Sequence, residues 1–314
     1  MKIAIAGFGS VGQTVARLAH QNGHSVVALA DSKSAIIDSS GIDINAALSS
    51  KKKKLPLGDG SMSDLLESDY DVLIEATPTF IGDAEPAFNY IKTALEMGHD
   101  VVTANKGPMA ERYDEIQNIC NGCNGSLRFE ATVGGAIPII STIEDMDPQN
   151  IISIRGVLNG TSNFILERMD AKSLSYDHVL LEAQDLGVAE TDPSFDVGGI
   201  DTALKCVILS NILSDGGFSL SDAKIEGIEH ISNHALDLAK KESHTIRLIG
   251  ESTRDGIHVS PKLVPKNDVF AVRGTQNIAQ INTKNGGILD LIGPGAGGGP
   301  TAAAIFADLK RLQV

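Results

Sequence analysis

Cysteine is scarce in this sequence, since the 314 residues include only Cys120, Cys123 and Cys206. An odd and small number does not suggest a disulfide framework, so a reducing compartment fits the composition. Cys120 and Cys123 have the spacing of half a zinc site or of a redox pair, but no second pair follows them. The intervening Asn121 and Gly122 are typical of a surface turn. We therefore favour a turn over a metal or redox site at this position.

Long apolar runs are missing as well. No segment approaches the roughly 18 consecutive apolar residues of a membrane-spanning helix. Hydrophobic residues make up 42% of the sequence and charged residues 21%, as in soluble globular proteins. The strand-like segment 3–6 follows Lys2 directly, which leaves no room for a signal peptide. We expect a cytoplasmic protein without a membrane partner.

Basic residues are outnumbered, with 26 lysines and arginines against 40 acidic residues and a formal net charge of -14. A protein with this excess of acids is repelled by a phosphate backbone, so nucleic acid is not an expected partner. The exception is the run of four lysines at residues 51–54. We predict a solvated loop there, although the run could favour an anionic ligand locally.

The chain changes its pattern near residue 139. Before that point strand-like and helix-like stretches alternate, as in βαβ units around a parallel sheet, and after it the pattern indicates an α+β domain. The predicted strands are 3–6, 26–30, 71–75, 101–103, 127–130, 151–158, 246–252, 257–263, 277–283 and 287–292. The predicted helices are 11–21, a short one ending at 67, 84–97, 111–119, 176–186, 201–213 and 302–312.

The turn Gly7-Phe8-Gly9-Ser10-Val11-Gly12 follows the first predicted strand and opens the first helix. This context is the one that the dinucleotide-binding fingerprint requires. Gly7 permits a tight turn, Gly9 lets the backbone approach a pyrophosphate, and Gly12 allows close packing of helix and strand. The turn predicts a Rossmann-type domain and a nicotinamide-dependent oxidoreductase.

Residues at the ends of later strands bear on the choice of cofactor. Asp31 lies near the offset at which an acid binds the ribose of NAD, whereas Ser32 and Lys33 could hold the extra phosphate of NADP. The choice between NAD and NADP therefore stays open. Thr77 follows another strand, at the edge where open α/β sheets bind ligands, and its alternative is a simple turn residue.

Two further segments could approach the cofactor. Lys106 also follows a strand at this edge and could face the nicotinamide and a polar substrate, or it could be an ordinary surface lysine. The glycine-rich stretch 293–299 leads into the last predicted helix, a geometry that presents backbone N–H groups to an anion. A flexible connector is the alternative for this stretch.

The segment 187–205 concentrates acids, glycines and one lysine. Asp201 and Lys205 are four residues apart on a predicted helix and can therefore pair on one face. The pair could be structural. However, the apolar residues 206–209 that follow suggest a buried helix, in which an ionised pair needs a reason. We favour a functional pair.

These motifs resemble the homoserine dehydrogenases along nearly the whole chain. The matching segments are 7–12, Ala104-Asn105-Lys106, 130–138, 159–166, 190–205, and the glycine-rich stretch into Pro300-Thr301-Ala302. The resemblance implies a Rossmann-type domain over 1–135, completed by the helix 300–314, and an α+β catalytic and dimerisation domain over 136–299. It implies the NAD(P)-dependent interconversion of L-homoserine and L-aspartate 4-semialdehyde, on the route from aspartate to threonine and methionine, by a homodimer.

The resemblance also assigns roles to residues of the site. Lys205 matches the acid and base at the substrate oxygen, Asp201 holds substrate and lysine, and Lys106 is similar to the family's second active-site lysine. Glu190 matches the position that binds the substrate's amino group, and Asp196 and Thr161 belong to the same substrate site. Gly187 and Gly297 fall where the family approaches its cofactor.

A monovalent cation, Na⁺ or K⁺, is a further implication of the resemblance. Glu130, Val133, Gly135 and Ile137 match a loop that holds this ion mostly through backbone carbonyls. Carbonyl ligation leaves almost no residue-type signature, so an unoccupied turn is the alternative. The chain also lacks the C-terminal regulatory domain and the fused kinase of some relatives, so effector control through such a domain is not expected.

Two other functions remain to be separated from this one. A related reductase could act on another amino-acid semialdehyde or on aspartate itself. A protein without catalysis could keep the glycine turn only to sense nucleotides, although the presence of Glu190, Asp201 and Lys205 argues against a sensor.

Overall fold

The structure, a computed structural model, describes residues 1–312 and divides into two compact units. The first unit comprises Met1–Ala136 together with the segment from Gly297 onward, and the second comprises Ile137–Ala296. Among residues 1–312, no helix is both long and apolar enough to cross a membrane.

The first unit is built on a six-stranded sheet. Its strands are β1 (Lys2–Ala6), β2 (Ser25–Ala30), β3 (Ala35–Ile37), β4 (Val72–Glu75), β5 (Asp100–Thr103) and β6 (Leu127–Arg128). Their order is β3-β2-β1-β4-β5-β6, and all neighbours are parallel except β2 and β3. Residues 3–6 are fully buried because helices cover both faces of the sheet. The predicted parallel α/β arrangement is confirmed.

Six helices connect these strands: α1 (Ser10–Gln21), α2 (Ile44–Lys52), α3 (Met62–Leu66), α4 (Ala87–Glu96), α5 (Lys106–Glu111) and α6 (Tyr113–Gly122). The prediction of a loop at residues 51–54 was wrong at its start, because α2 continues through Lys52. The Asp43 carboxylate caps α2 by accepting hydrogen bonds from the N–H groups of Asn45 and Ala46. Only Ala47 of α2 is buried. The sequence of α2 therefore lacks the apolar stripe from which a helix is predicted.

The predicted strand 127–130 was too long. Strand β6 ends at Arg128, and Glu130–Thr132 forms a 3₁₀ turn. The N–H group of Glu130 donates to the Asp308 carboxylate at 2.8 Å, and the hydroxyl of Thr132 donates to the carbonyl of Phe129. The bond to Asp308 and the local bond within the turn replace the ladder that would have extended the strand.

The second unit is an α+β assembly, as predicted. Its helices are α7 (Ile139–Asp145), α8 (Gly160–Lys172), α9 (Tyr176–Asp185), α10 (Ser194–Val197), α11 (Ile200–Ser214) and α12 (Asn233–Lys241). Its strands are β7 (Ile151–Val157), β8 (Ala223–Ile225), β9 (His244–Ser252), β10 (Ile257–Pro265), β11 (Gln276–Thr283) and β12 (Gly287–Pro294). They form one sheet in the order β12-β11-β7-β9-β10-β8, antiparallel except for β8 and β10.

The last helix, α13 (Gly298–Leu312), returns to the first unit and packs against α1. It begins four residues before the predicted start at Ala302. A Cβ on Gly298 would lie 2.9 Å from Ser10 Oγ and 3.3 Å from the Ser10 carbonyl oxygen, so the close approach of the two helices favours glycine there. Ile305 and Phe306 join the core cluster that contains Val15. The predicted segment 300–314 ends with two residues outside the described range.

Candidate active site

The glycine turn after β1 has a separate physical reason for each of its three glycines. Gly7 has a φ of +102°, and a Cβ there would lie 2.4 Å from the carbonyl oxygen of Ala76. A Cβ on Gly12 would lie 1.9 Å from the carbonyl oxygen of Gly7. At Gly9, which is exposed, an added Cβ would meet no heavy atom within 4 Å. The open side at Gly9 is therefore where a ligand can approach the backbone.

Helix α1 begins at this open side. Its N-cap residue, Gly9, is extended and makes no side-chain cap. The N–H groups of the first turn, together with the positive end of the helix dipole, therefore suit a pyrophosphate. Ser10 is exposed and Val11 half-buried, whereas Phe8 is 1% exposed in the core. Phe8 can therefore contribute only its backbone to a cofactor.

Asp31, at the end of β2, carries an ion pair that was not predicted. Lys51 Nζ in the last turn of α2 donates to Asp31 Oδ2 at 2.5 Å, and the N–H groups of Lys33 and Ser34 donate to Oδ1. Burial pushes the pKa of Asp31 upward, but these hydrogen bonds and the lysine charge outweigh it, so the pKa is lowered. Ser32 and Lys33 are exposed beside the pair. Asp31, Lys33 and Lys51 thus lie together at the end of β2.

Thr77 and Lys106 lie at the carboxyl ends of neighbouring strands. The in-register pairing of β4 with β5 brings the segments that follow them side by side. Asn105 Nδ2 donates to the Thr77 carbonyl at 3.2 Å, and Asn105 Oδ1 caps α5 by accepting from the N–H of Gly107. Lys106, the first residue of α5, is half-buried. The structure therefore brings these two predicted site residues to one edge of the sheet.

The predicted pair of Asp201 and Lys205 lies in the second unit. Helix α11 is buried along most of its length, and both residues are only 6% exposed. Lys205 Nζ donates to Asp201 Oδ2 at 2.7 Å and to the Leu158 carbonyl at 2.6 Å. Asp201 lies in the first turn of α11, where the helix dipole favours a carboxylate. A buried ion pair is stable only when further hydrogen bonds satisfy its charged groups, and the Leu158 carbonyl supplies one such bond to Lys205.

Asn159 joins this pair to a second acid. Its Nδ2 donates to Asp201 Oδ2 at 2.9 Å and to Asp196 Oδ1 at 2.7 Å, and its Oδ1 caps α8 by accepting from the N–H of Ser162. The sequence placed Asn159 in a matching motif but assigned it no role. Its position directly before a helix was the available signal, since asparagine is a preferred N-cap.

The carboxyl group of Asp196 is easier to protonate than an ordinary aspartate. Burial is the main cause of its raised pKa, and repulsion from Asp201 adds to it. Hydrogen bonds from Asn159 and Thr161 and attraction by Lys205 act in the opposite direction. The Thr161 hydroxyl also donates to the Val188 carbonyl at 3.1 Å. The predicted residues Asp196, Asp201, Lys205 and Thr161 therefore form one hydrogen-bonded cluster with Asn159.

Glu190 and the two predicted cofactor glycines are exposed. Glu190 follows the turn after α9, and its carbonyl accepts from Gln184 Nε2 at 3.1 Å. Gly187 has a φ of +69° and Gly297 a φ of +108°, so both positions require the conformational freedom of glycine. Gly187 belongs to the second unit and Gly297 to the first.

The residues predicted to hold a cation are buried. Glu130, Val133 and Gly135 belong to the first unit and Ile137 to the second. Gly135 has a φ of +56°. Burial raises the pKa of Asp308, which accepts the N–H of Glu130, to about 7. Among residues 1–312, no group of three or more His, Cys, Asp or Glu side chains could hold a metal ion.

All three cysteines are free. Burial raises the pKa of the Cys120 thiol to about 11 and that of Cys206 to about 12. Thiols with such values are not nucleophilic at neutral pH.

Comparison with known families gives two matches along the chain. The homoserine dehydrogenase family matches residues 138–309. The glutamate/leucine/phenylalanine/valine dehydrogenase family matches residues 1–77, the part that carries the glycine turn.

Three individual proteins are similar over almost the full chain. A homoserine dehydrogenase of Methanocaldococcus jannaschii is 38% identical over 330 aligned positions, which cover 99% of this chain and 98% of that protein. A crystal structure from Archaeoglobus fulgidus, assigned as a homoserine dehydrogenase, is 40% identical with a TM-score of 0.93 and covers 99% of both chains. A hyperthermophilic archaeal homoserine dehydrogenase in complex with NADPH is 30% identical with a TM-score of 0.87, covering 100% of this chain and 98% of that one.

Proposed function

Because the chain belongs to the homoserine dehydrogenase family, we propose that it interconverts L-homoserine and L-aspartate 4-semialdehyde with NAD or NADP. The observation that carries this proposal is the buried pair of Lys205 and Asp201, held by Asn159 and the Leu158 carbonyl. A buried ammonium on a rigid helix is suited to stabilising an oxyanion and to moving its proton. The reaction would serve the route from aspartate to threonine and methionine.

The first unit would hold the dinucleotide. The N-terminus of α1 binds the pyrophosphate, and the ionised Asp31 accepts from a ribose hydroxyl. Thr77 and Lys106 lie at the carboxyl edge, where doubly wound sheets receive the nicotinamide end. When bound, the nicotinamide supplies or accepts the hydride at the substrate carbon.

Lys205 would handle the proton. A charged ammonium has three N–H donors, and two of them bond to the Leu158 carbonyl and to Asp201. The third is directed to the substrate oxygen, stabilises the charge that develops there and delivers its proton. In the oxidation of homoserine, the neutral amine takes the hydroxyl proton. Asp201 keeps the lysine in one orientation throughout.

Acids of the second unit would bind the other end of the substrate. An amino acid carries an ammonium and a carboxylate, so its site needs acceptors for the former and donors for the latter. Glu190, Asp196 and Asp201 supply carboxylate acceptors, and Thr161 supplies a hydroxyl. Gly187 and Gly297 would let the backbone approach the cofactor.

Two features of assembly belong to the same proposal. We infer a homodimer, supported by the edge strand β12, which exposes 63% of Ile288 and 52% of Ile292. An edge strand with exposed apolar side chains is a surface that needs a partner.

We also infer a monovalent cation, Na⁺ or K⁺, on backbone carbonyls of Glu130, Val133, Gly135 and Ile137.

The assay that tests the proposed function follows the nicotinamide absorbance band with L-homoserine and either NAD or NADP. We expect turnover with at least one of them, and absence of turnover with both would refute the proposal. A panel of other amino-acid alcohols, together with aspartate, separates a related reductase from this enzyme. A nucleotide sensor would bind the dinucleotide without consuming any compound of the panel.

Lys51→Ala should weaken the binding of NADP more than that of NAD. The lysine neutralises Asp31 at the ribose end, so its loss leaves an unbalanced carboxylate that repels a ribose phosphate and still accepts from a ribose hydroxyl. We expect KM for NADP to rise roughly 3- to 10-fold and KM for NAD to change less than twofold, a modest effect because the lysine is partly exposed. Lys53→Ala, in the same run but at an exposed position, is the matched control. Equal effects of the two substitutions would contradict the assignment.

A further inference from the structure

Glu75 is a fully buried acid at the end of β4, in the centre of the sheet of the first unit. One of its oxygens accepts from the N–H of Thr77 at 2.9 Å and from the Thr77 hydroxyl. The other accepts from the Thr103 hydroxyl at 2.9 Å. The proposed mechanism does not use this carboxyl group.

An acidic side chain is energetically unfavourable at this buried position. The three preceding strand residues, Val72, Leu73 and Ile74, are all apolar and buried. Burial raises the pKa of Glu75, and the hydrogen bonds from Thr77, Thr103 and Asn105 act against that rise. Burying a carboxyl group is unfavourable unless its oxygens are bonded. What distinguishes Glu75 from an apolar strand residue is therefore the set of donors that it organises.

These donors come from two loops that follow neighbouring strands. Thr77 belongs to the loop after β4. Thr103 accepts from the backbone N–H of Asn105 at 3.0 Å, and Asn105 in turn donates to the Pro78 carbonyl at 3.2 Å and caps α5. A chain of hydrogen bonds thus runs from Glu75 through Thr103 and Asn105 to the first turn of α5, where Lys106 lies.

The glycine turn after β1 contacts the backbone that directly follows Glu75. The ideal Cβ position of Gly7 lies 2.4 Å from the Ala76 carbonyl oxygen and 2.8 Å from the Thr77 nitrogen, so these backbones are in close contact. Strand β1 lies between β2 and β4, which makes the gap after β1 and β4 the point where the strand order reverses. Open α/β sheets bind their ligands at this point. Glu75 therefore lies beneath the loops that form the crevice.

We propose that Glu75 is a positioning residue for the nicotinamide half of the cofactor, acting through Thr77 and through the turn that carries Lys106. This inference rests on the proposed function, because it assumes that the crevice receives a dinucleotide. The carboxyl group touches no ligand. It holds two loops in the one arrangement that a nicotinamide ring needs.

The test compares each reduced dinucleotide with its analogue that lacks nicotinamide, by titration calorimetry on the purified protein. NADH is paired with ADP-ribose, and NADPH with 2′-phospho-ADP-ribose. In Glu75→Gln, one oxygen that accepts hydrogen bonds is replaced by an NH₂ group that faces donors. We expect dinucleotide affinity to fall about tenfold, while the affinity of the shortened analogue changes less than twofold.

Further variants at Thr103 and Thr77 keep the test decisive if Glu75→Gln folds poorly. Thr103→Val removes one donor to Glu75 and should show the same selective loss, whereas Thr103→Ser keeps the hydroxyl and should bind like the wild type. Thr77→Val combined with Thr103→Val should lose less than the product of the two single effects, because both act through one network. A purely structural role predicts equal losses for dinucleotide and analogue, together with a lower unfolding temperature.

The result is independent of turnover. If the wild type binds dinucleotides but does not oxidise homoserine, the proposed function fails. The positioning role is then still tested by whether the variants lose affinity for the dinucleotide but not for the shortened analogue. Wild-type dinucleotide affinity in Thr103→Val, or parallel loss of both ligands in every variant that folds, would overturn the positioning role.

Discussion

Replacing Lys205 with methionine is expected to lower kcat with homoserine by at least ~10³-fold, while dinucleotide affinity changes less than about twofold. Lys205 is the buried ammonium of the second unit and is bonded to Asp201 and to the Leu158 carbonyl. Methionine fills a similar volume, but it neither donates a proton nor stabilises an oxyanion. Steady-state kinetics and dinucleotide titration measure the two effects separately.

The same substitution also affects stability, and a second variant separates the two consequences. Without Lys205, the buried Asp201 carboxylate loses its ammonium partner while Asp196 still lies beside it, and breaking a buried ion pair costs about 3–5 kcal/mol. Lys205→Met with Asp201→Asn should recover much of that loss without recovering activity. Lys262→Met, on an exposed position of β10, is the control for surface lysines. Full turnover by a folded Lys205→Met protein would rule out the proton role.

The second large effect is expected at Asn159. Asn159→Ala removes the amide that bridges Asp196 and Asp201, so a half-buried and a buried carboxyl group lose a shared donor. We expect kcat/KM for homoserine to fall about 10- to 100-fold and the free energy of unfolding to fall by about 2–4 kcal/mol. Kinetics and chemical denaturation measure these changes.

The pH dependence gives Asn159 a sharper signature. The amide bond lowers the pKa of Asp196, which burial and Asp201 raise, so its removal should raise that pKa further. An acid with a higher pKa becomes protonated earlier as the pH falls, and it then no longer attracts the substrate ammonium. The acid limb of kcat/KM should therefore move to higher pH in Asn159→Ala.

Asn163→Ala is the matched control for Asn159. Asn163 lies on α8, the helix that Asn159 caps, and is fully buried, but it donates to the carbonyls of Val272 and Gly274. The Asn163→Ala protein should be less stable than the wild type, but the pH dependence of its kcat/KM should be unchanged. If both variants moved the acid limb equally, the bridging role of Asn159 would be refuted.

Local patterns were enough to predict the glycine turn and the pair on α11. The turn needs only a strand, three glycines and a helix in succession, and the pair needs only residues four apart on one helix. Both are determined by a short stretch of chain, and the structure has them where the sequence placed them. The two-part fold class followed in the same way from the change in pattern near residue 139.

Contacts between distant segments were not predictable in this way. Lys51 meets Asp31 only because the weakly amphipathic α2 continues through residues that resembled a loop. Asn159 meets Asp196 and Asp201 across about 40 residues of sequence, and no periodicity encodes such a distance. Glu75 looked like one more residue of a buried strand, since its donors arrive from the loops after β4 and β5.

The return of α13 to the first unit has a consequence for how the protein is made. The second unit is one continuous stretch, whereas the core of the first unit includes Ile305 and Phe306, which are translated after the whole second unit. Domains generally fold as units during synthesis, from the N-terminus onward. Here the order is inverted, because the unit whose translation begins first cannot close its core until the second unit has been translated. The nascent chain must therefore carry an incomplete dinucleotide fold while its second half is already able to fold.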